Sequence, residues 1–349
     1  MSQTLILINF WDKGGMRHYA DSIAQLMSET ARVIYVSNYP VHPHPNLTHW
    51  HVPLTLNPLS PRNIIHALRL GFRILKTPGS VYMTSDHPVL LLIYKLFIFK
   101  RASLVIHDAR THHGERLHKQ LFHWLHLNLF SICLSRFVVH SQKIRGELPL
   151  PIRLRHPRII PHVNYQLITH HFPALAPPTW PNEGPFRLLF FGRILAYKGL
   201  HVLYEAMENL PEDHFHLTVA GDGVIQRPYT GSNHQLFNHF ISDEQMHQLF
   251  SQCHAVALPY TSASQSGVAY MALAYGKPVI STRVGAIPEV IHHAQNGLLT
   301  DPDDPEALAK AIRDMAEPRV YQQITQNIAT DTQTNFAEVT AGIREVCFE

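Results

Sequence analysis

The stretch from Arg187 to Met207, R-L-L-F-F-G-R-I-L-A-Y-K-G-L-H-V-L-Y-E-A-M, is compatible with few folds. It begins with an apolar run, Leu188–Phe191, short and aromatic enough for a strand buried on both faces of a parallel sheet. Gly192 breaks that run, and Arg193 and Lys198 follow in a loop that ends at Gly199. From Leu200 the apolar period turns helical, with Leu203, Tyr204 and Met207 on the same face. An α/β domain uses this sequence of strand, cationic loop and helix to hold a phosphorylated ligand at the carboxyl end of its sheet. Two charges in a loop are equally what solvent favours, so the stretch alone does not separate the two readings.

At 349 residues the chain is too long for a single core and predicts two domains. No charged-then-apolar leader is expected, since Leu5–Phe10 is strand-length and runs straight into Trp11 and Asp12. The longest apolar run, Val89–Phe99, contains Lys95 and falls short of the roughly 20 residues that a membrane span needs. Cys133, Cys253 and Cys347 are far apart and form no C-x-x-C pair, which predicts a reduced, cytoplasmic setting. The net charge of +3 hides an asymmetry: residues 1–166 carry 19 Lys and Arg against 7 Asp and Glu, and the remainder carries 10 against 19. A basic first half implies an anionic partner there. No nucleic-acid motif accompanies it, so an anionic membrane surface is the expected partner and nucleic acid is not. The 27 histidines occur as scattered singles and adjacent pairs without H-E-x-x-H or Cys partners, so no metal site is expected.

Along the first half, Leu5–Phe10 reads as a strand, Asp12–Gly15 as a glycine turn and Met16–Met27 as a helix with Tyr19, Ile23 and Leu26 inward. Gly14 and Gly15 would let backbone N–H groups approach a ligand closely, although G-x-G-x-x-G is absent. Ala31–Ser37 is a second strand, and Tyr39–Pro58 reads as loop. Pro61–Lys76 reads as an amphipathic helix with Arg62, Arg69, Arg73 and Lys76 on one face and Ile65, Leu68, Phe72 and Leu75 lining another. Further strands are expected at Val81–Ser85, Leu104–Ile106 and Phe137–Ser141, with apolar helices at Val89–Phe99 and Leu117–Leu134. His107 and Asp108 stand at the carboxyl end of a strand, where such domains place their chemistry. Phe172–Pro185 is too proline-dense for helix or central strand and reads as a stiff linker. In the second half, strands are expected at His216–Ala220 and Ala255–Pro259, and Ser242 caps a helix at Asp243–Ser251. Asp301–Asp304 looks like a D-x-D metal motif, but Asp304 followed by Pro305, Ala307, Leu308 and Ile312 reads as a helix N-cap.

The loop F-F-G-R-x4-K-G-L resembles the donor-diphosphate loop of the retaining glycosyltransferases of family 4, which have the GT-B fold. A-G-D-G at Ala220–Gly223, L-P-Y at Leu258–Tyr260, G-K-P-V-I at Gly276–Ile280, V-G-A-I-P-E at Val284–Glu289 and N-G-L-L at Asn296–Leu299 follow in that family's order and spacing. The resemblance implies two Rossmann-like domains facing across a cleft. Residues 1–166 would form the acceptor domain, 167–185 the linker, 186–330 the nucleotide-sugar domain, and 331–349 a helix returning to the first domain. I-H-D-A-R-T-H-H-G-E resembles the family's site beside the sugar donor, which makes His107 a catalytic candidate and places His113 and Glu115 on the acceptor side. Ile159–His162 resembles the segment that closes the first domain, with Val163 where the family has glycine.

The family's paired glutamates would fall at Ala263 and Met271, and neither position is acidic. The loop reads S-Q-S-G-V at Ser264–Val268 instead, a variant associated with polysaccharide-assembly members. The resemblance implies hexose transfer with retention from a nucleotide-diphosphate sugar to a glycan or lipid-linked acceptor, with no cofactor and no metal. Its expected donor contacts are Gly14, Gly15, Arg193, Lys198, Gly221, Gln265, Ser266, Gly267 and Val268, with Arg193 and Lys198 also neutralising the leaving diphosphate. The missing glutamates leave a second reading, a non-catalytic GT-B protein that binds a nucleotide sugar or a partner.

Overall fold

The computed structural model describes residues 3–12, 15–54, 60–85, 101–109, 125, 127–128, 134, 136–163, 165, 180 and 184–349. Its contacts divide the chain into two compact units, Met1–Val163 with Asn335–Glu349, and Asn164–Thr334. The expected helices at Val89–Phe99 and, for most of its length, Leu117–Leu134 lie outside the described residues, as does most of the linker.

The first unit is built on seven strands: β1 (Thr4–Ile8), β2 (Arg32–Ser37), β3 (Leu47–His51), β4 (Ser80–Met83), β5 (Ala102–Val105), β6 (Arg136–Val139) and β7 (Arg158–Ile159). All pair in parallel, in the order β3-β2-β1-β4-β5-β6-β7. The strand order reverses beside β1, a doubly wound arrangement that leaves a crevice at the carboxyl ends of β1 and β4. Helix α1 (Gly15–Ser28) follows β1 and buries Tyr19, Ile23 and Leu26, as its periodicity predicts. Two short helices, α3 (Gln142–Glu147) and α4 (Leu150–Arg153), link β6 to β7.

Two expectations for this unit are corrected. Tyr39–Pro58 is not all loop, because β3 adds to the sheet edge against β2. Helix α2 has the expected span, Pro61–Lys76, but turns a different face inward: Asn63, Ala67, Leu70, Gly71 and Ile74 are buried. Ile65 is 49% exposed, Phe72 56% and Leu75 36%, so the apolar stripe read from the sequence lies largely in solvent. Ala67, Leu70 and Ile74 instead join the core of the first unit.

The second unit repeats the order with β8 (Phe186–Phe191), β9 (Phe215–Ala220), β10 (His234–Phe237), β11 (Ala255–Leu258), β12 (Val279–Thr282) and β13 (Gly297–Thr300), parallel as β10-β9-β8-β11-β12-β13. Helices α5 (Leu200–Glu208), α6 (Asp243–Gln252), α7 (Gly267–Ala274) and α8 (Ile287–Val290) lie between the strands, and α9 (Pro305–Ala316) follows the last of them. Phe186, Leu188 and Phe190 on β8 pack with Leu203, Met207 and Ile312 in one core. Ser242 and Gln245 form a reciprocal capping box on α6. Asp304 caps α9 by accepting the Ala307 N–H at 2.8 Å, which is the N-cap reading of the D-x-D look-alike. The last helix, α10 (Pro318–Phe348), contributes Ile324 and Ile328 to the second core, and its end, from Asn335, belongs to the first unit.

His254, fully buried, accepts the Arg187 backbone N–H on Nδ1 at 2.8 Å and stacks on Phe186. Burial lowers its pKa to about 4, with repulsion from Arg187 and Lys277 adding to the effect. The free side chain titrates near ~6.5, so between ~6.5 and ~4 the unfolded chain takes up the proton first. Stability conferred by this site is therefore intact above ~6.5 and declines as pH falls towards ~4. Urea midpoints measured across that window should fall with acidification, and His254→Asn should flatten the slope. An unchanged slope in the variant would assign the acid lability to other groups.

Candidate functional site

Each parallel connection returns the chain to the same edge, so the loops after β8, β9 and β11 share the carboxyl edge of the second sheet. They meet backbone to backbone. A Cβ on Gly199 would lie 1.8 Å from the Pro259 carbonyl oxygen, and one on Gly221 would lie 2.0 Å from that of Gly192. Both glycines also hold positive φ, +69° and +153°. The Thr261 N–H donates to the Tyr197 carbonyl at 2.8 Å, tying the β11 loop to the single 3-10 turn Ala196–Lys198. Gly285 lies equally close to the Ala263 carbonyl, and the Ala286 N–H donates to the Ser264 carbonyl at 2.9 Å.

This packing carries Lys198 inward. Its side chain is only 9% exposed, its ammonium lies where a Cβ on Gly192 would be 2.8 Å from Nζ, and the Tyr260 ring centroid is 5.4 Å away. Burial lowers its pKa to about 8, partly opposed by the adjacent Tyr197 and reinforced by the exposed Arg193 guanidinium. Among the described residues no carboxylate forms an ion pair with Lys198. A buried ammonium without a counter-charge costs free energy that an anionic ligand would recover.

Beside it stands the N-terminus of α7. Ser266 caps that helix, accepting the Ala269 N–H on Oγ at 3.3 Å, and its hydroxyl lies 3.1 Å from the Tyr260 hydroxyl. Gly267 and Val268 form the first turn, and Val268 is in van der Waals range of a Cβ built on Gly192. Gln265 is half-buried in the preceding loop. The structure thus brings Arg193, Lys198, Gly221, Gln265, Ser266, Gly267 and Val268 to one edge: two cations and a helix N-terminus, a set suited to a diphosphate. The two positions where the family carries glutamate have structural roles. Ala263 gives its carbonyl to the contact with Gly285, and Met271 is buried on α7.

In the first unit, Gly15 opens α1, and Tyr19 one turn later meets the His107 ring edge-on at 4.9 Å. Gly14, His113 and Glu115 lie outside the described residues. His107 follows β5, and two residues that sequence reasoning did not select stand beside it: His140 after β6 and His162 after β7. Their ring centroids lie 4.9 Å (His107 to His140) and 4.8 Å (His140 to His162) apart, and Tyr19 touches all three rings. The expectation that the histidines stay scattered is corrected here. The available signal was V-I-H, V-V-H and I-I-P-H, each an apolar strand closed by histidine. Burial, with mutual repulsion at His107 and His162, lowers the pKa of all three, that of His140 to about 4, so the trio is neutral near pH 7.

The fold is that of the GT-B glycosyltransferases. Anabaena HepE in complex with UDP-glucose superposes with a TM-score of 0.67 at 17% identity over 98% of both chains. Sucrose-phosphate synthase of Thermosynechococcus elongatus gives 0.71 at 17% identity over 99% of this chain and 98% of that one. The family model described as "Glycosyl transferases group 1" matches residues 185–317, which hold all six strands of the second sheet and helices α5 to α9. A glycosyltransferase of Methanocaldococcus jannaschii is 28% identical over 177 residues, 46% of this chain and 45% of the relative. The chain thus spans less than half the length of the curated relatives it matches. Among the described residues, no helix is long and apolar enough to cross a membrane.

Because the Lys198 pKa is depressed, the ammonium is fully present below ~8 and is lost as pH rises through that value. Binding of inorganic diphosphate to the free protein should weaken above pH ~8 and take up a proton there. Lys198→Arg, which stays charged, should bind with no such alkaline loss. Calorimetry in buffers of different ionisation enthalpy reads both, and pH-independent binding by the wild type would contradict the assignment.

Proposed function

We propose that this chain is a retaining, metal-independent glycosyltransferase that moves a hexose from a nucleotide-diphosphate sugar to a glycan or lipid-linked acceptor in polysaccharide or glycoconjugate assembly. The observation that carries this reading is the buried Lys198 ammonium, without a carboxylate partner among the described residues, at the carboxyl edge of the unit that matches the group 1 family. The 186–330 domain takes the donor, and the 1–166 domain takes the acceptor. In support, the HepE structure of the same fold holds UDP-glucose.

In this mechanism, departure of the diphosphate builds negative charge, and Arg193, Lys198 and the N-terminus of α7 neutralise it without a metal. The leaving phosphate oxygen accepts the acceptor hydroxyl proton on the face it vacates, so the new bond forms with retention. His107, neutral at pH 7, orients the sugar by hydrogen bonding rather than by charge. Gly14, Gly15 and Gly221 supply backbone approach to the donor, Gln265 and Ser266 supply polar contacts, and His113 and Glu115 line the acceptor side. The alternative, a nucleotide-sugar-binding protein without turnover, is favoured only by Ala263 and Met271 at the glutamate positions.

A charge-assisted contact to phosphate is worth about 1.5–3 kcal/mol. Arg193→Ala and Lys198→Ala should therefore each lower kcat/KM by roughly 10- to 100-fold with folding intact, measured in excess chelator. Donor binding without transfer to any acceptor would favour the binding protein instead. Unchanged donor affinity and turnover in both variants would remove the basis of the reading.

For the first half we propose reversible contact with the cytoplasmic face of an anionic membrane. Helix α2 exposes Arg62, Arg69 and Lys76 together with Ile64, Ile65 and Phe72, a mixed basic and apolar face. Arg73 lies over the Trp50 ring at 3.7 Å and is better left unchanged in a test. Each basic residue near such a surface contributes about 1 kcal/mol, screened by salt. Arg62→Glu with Arg69→Glu should abolish sedimentation with anionic vesicles while sparing transfer to a soluble acceptor. Equal sedimentation with neutral vesicles, or none at low salt, would refute the contact.

A further inference from the structure

Helices α5 and α9 cover one face of the second sheet, packing with Phe186, Leu188 and Phe190 of β8 and Phe215, Leu217 and Val219 of β9. The alternate residues, Arg187 and Leu189 on β8 and His216 and Thr218 on β9, point to the opposite face. There α6 lies over β8, with Phe250 meeting the Phe191 ring at 5.0 Å, while His216, Thr218 and Phe237 on the outer strands stay only half-buried. A groove of about 580 Å³ is left between α6 and the outer strands, within the ~300–1,000 Å³ usual for small-molecule sites. Register sets its floor: Arg187 pairs with His216, Leu189 with Thr218, and Thr218 with Gln235. Arg187 and His216 are each the second residue of their strand. The charged end of the groove therefore lies near the amino edge of the sheet, away from the donor loops at the carboxyl edge.

The chemistry of this groove is one-sided. Its lining holds no carboxylate, and among the described residues the Arg187 guanidinium forms no ion pair. Arg187 is half-buried, and its Nε is shielded from solvent with no hydrogen-bond acceptor. Lys277, buried near it, adds repulsion rather than a counter-charge, and donates to the Ser251 and Cys253 carbonyls at 3.2 and 2.8 Å. Burial lowers the pKa of His216 and repulsion by Arg187 adds to that, so near pH 7 the ring is neutral and can both donate and accept. A guanidinium withdrawn from water without a partner costs free energy that an anion returns. Its planar fork suits a carboxylate or a phosphate. Around it, Gln235, Gln248 and Gln252 offer amides that both donate and accept, as a ring of hydroxyls requires. Phe237 and Leu249 supply apolar surface for the C–H face of a sugar.

We propose that this groove binds an acidic sugar, with its phosphate or carboxylate on Arg187 and its hydroxyls on the glutamine amides. It is a second carbohydrate site within the 186–330 domain, separate from the donor edge, and it does not rest on the transfer reading.

Glucose 6-phosphate, glucuronate and glucose differ only at C6. Calorimetric titration of each, and of inorganic phosphate, into the full chain at pH 7 tests the site. We expect at least one of the two acidic sugars to bind roughly 10-fold or more tightly than glucose and than phosphate, and the tighter of the two tells which acid Arg187 takes. Arg187→Gln should weaken that binding by roughly 10-fold or more, whereas Lys198→Ala should leave it unchanged. Gln248→Glu, at an exposed position of α6, puts a carboxylate into the groove as an internal competitor for Arg187 and should weaken binding likewise. That variant decides should Arg187→Gln fail to fold. Glucose or phosphate bound as tightly as both acidic sugars, no binding of any probe, or loss in Lys198→Ala with none in Arg187→Gln and Gln248→Glu would overturn the site. None of these titrations uses a sugar nucleotide, so failure here leaves the transfer reading standing.

Discussion

Contact between glycine backbones at the carboxyl edge of the second sheet is the constraint on which the rest depends. Gly199 against Pro259 and Gly221 against Gly192 bring the loops after β8, β9 and β11 closer than any side chain would permit. Closure of those loops leaves the Lys198 stem no route except inward, beneath Tyr260. The parallel sheet supplies the edge, the glycines supply the approach, and the approach desolvates the charge. A desolvated ammonium is what an anionic ligand rewards, so the chemistry follows from the packing.

The two sheets share a topology and differ in what their edges carry. The second ends its strands in glycine, cations and a capped helix N-terminus, the partners of phosphate. The first ends β5, β6 and β7 in or near neutral buried histidines, which can hydrogen-bond a sugar hydroxyl. Strong desolvation marks both edges and acts oppositely on function. Lys198 keeps its charge at pH 7 because its pKa falls only to about 8, whereas His140, at about 4, gives its charge up.

Central strands were legible because both faces are buried and their sequences are apolar runs, as in Leu188–Phe191 and Ala255–Leu258. Sequence reasoning assigned no strand at β3, β7, β10, β12 or β13. Of these, β3 (L-T-H-W-H) and β10 (H-Q-L-F) lie at sheet edges, where alternate side chains meet water and the apolar run disappears. By contrast, β12 is internal and appeared only within the G-K-P-V-I motif. The span of α2 was readable from Pro61 and its period, but its inward face was not. Two apolar stripes compete there, and the one through Ala67, Leu70 and Ile74 is the one buried. In the site, Arg193, Lys198 and Ser264–Val268 were visible as local motifs. The histidine trio was not, since its members come together only when β5, β6 and β7 pair in register.

Hydrogen–deuterium exchange of the full chain with saturating UDP-, GDP- or ADP-sugars tests the central claim most directly. With the correct nucleotide, protection should appear in residues 192–201, 221–224 and 260–269, the three loops whose backbones meet. Protection confined to other segments, or none with any of the three donor classes, would contradict a diphosphate site at this edge.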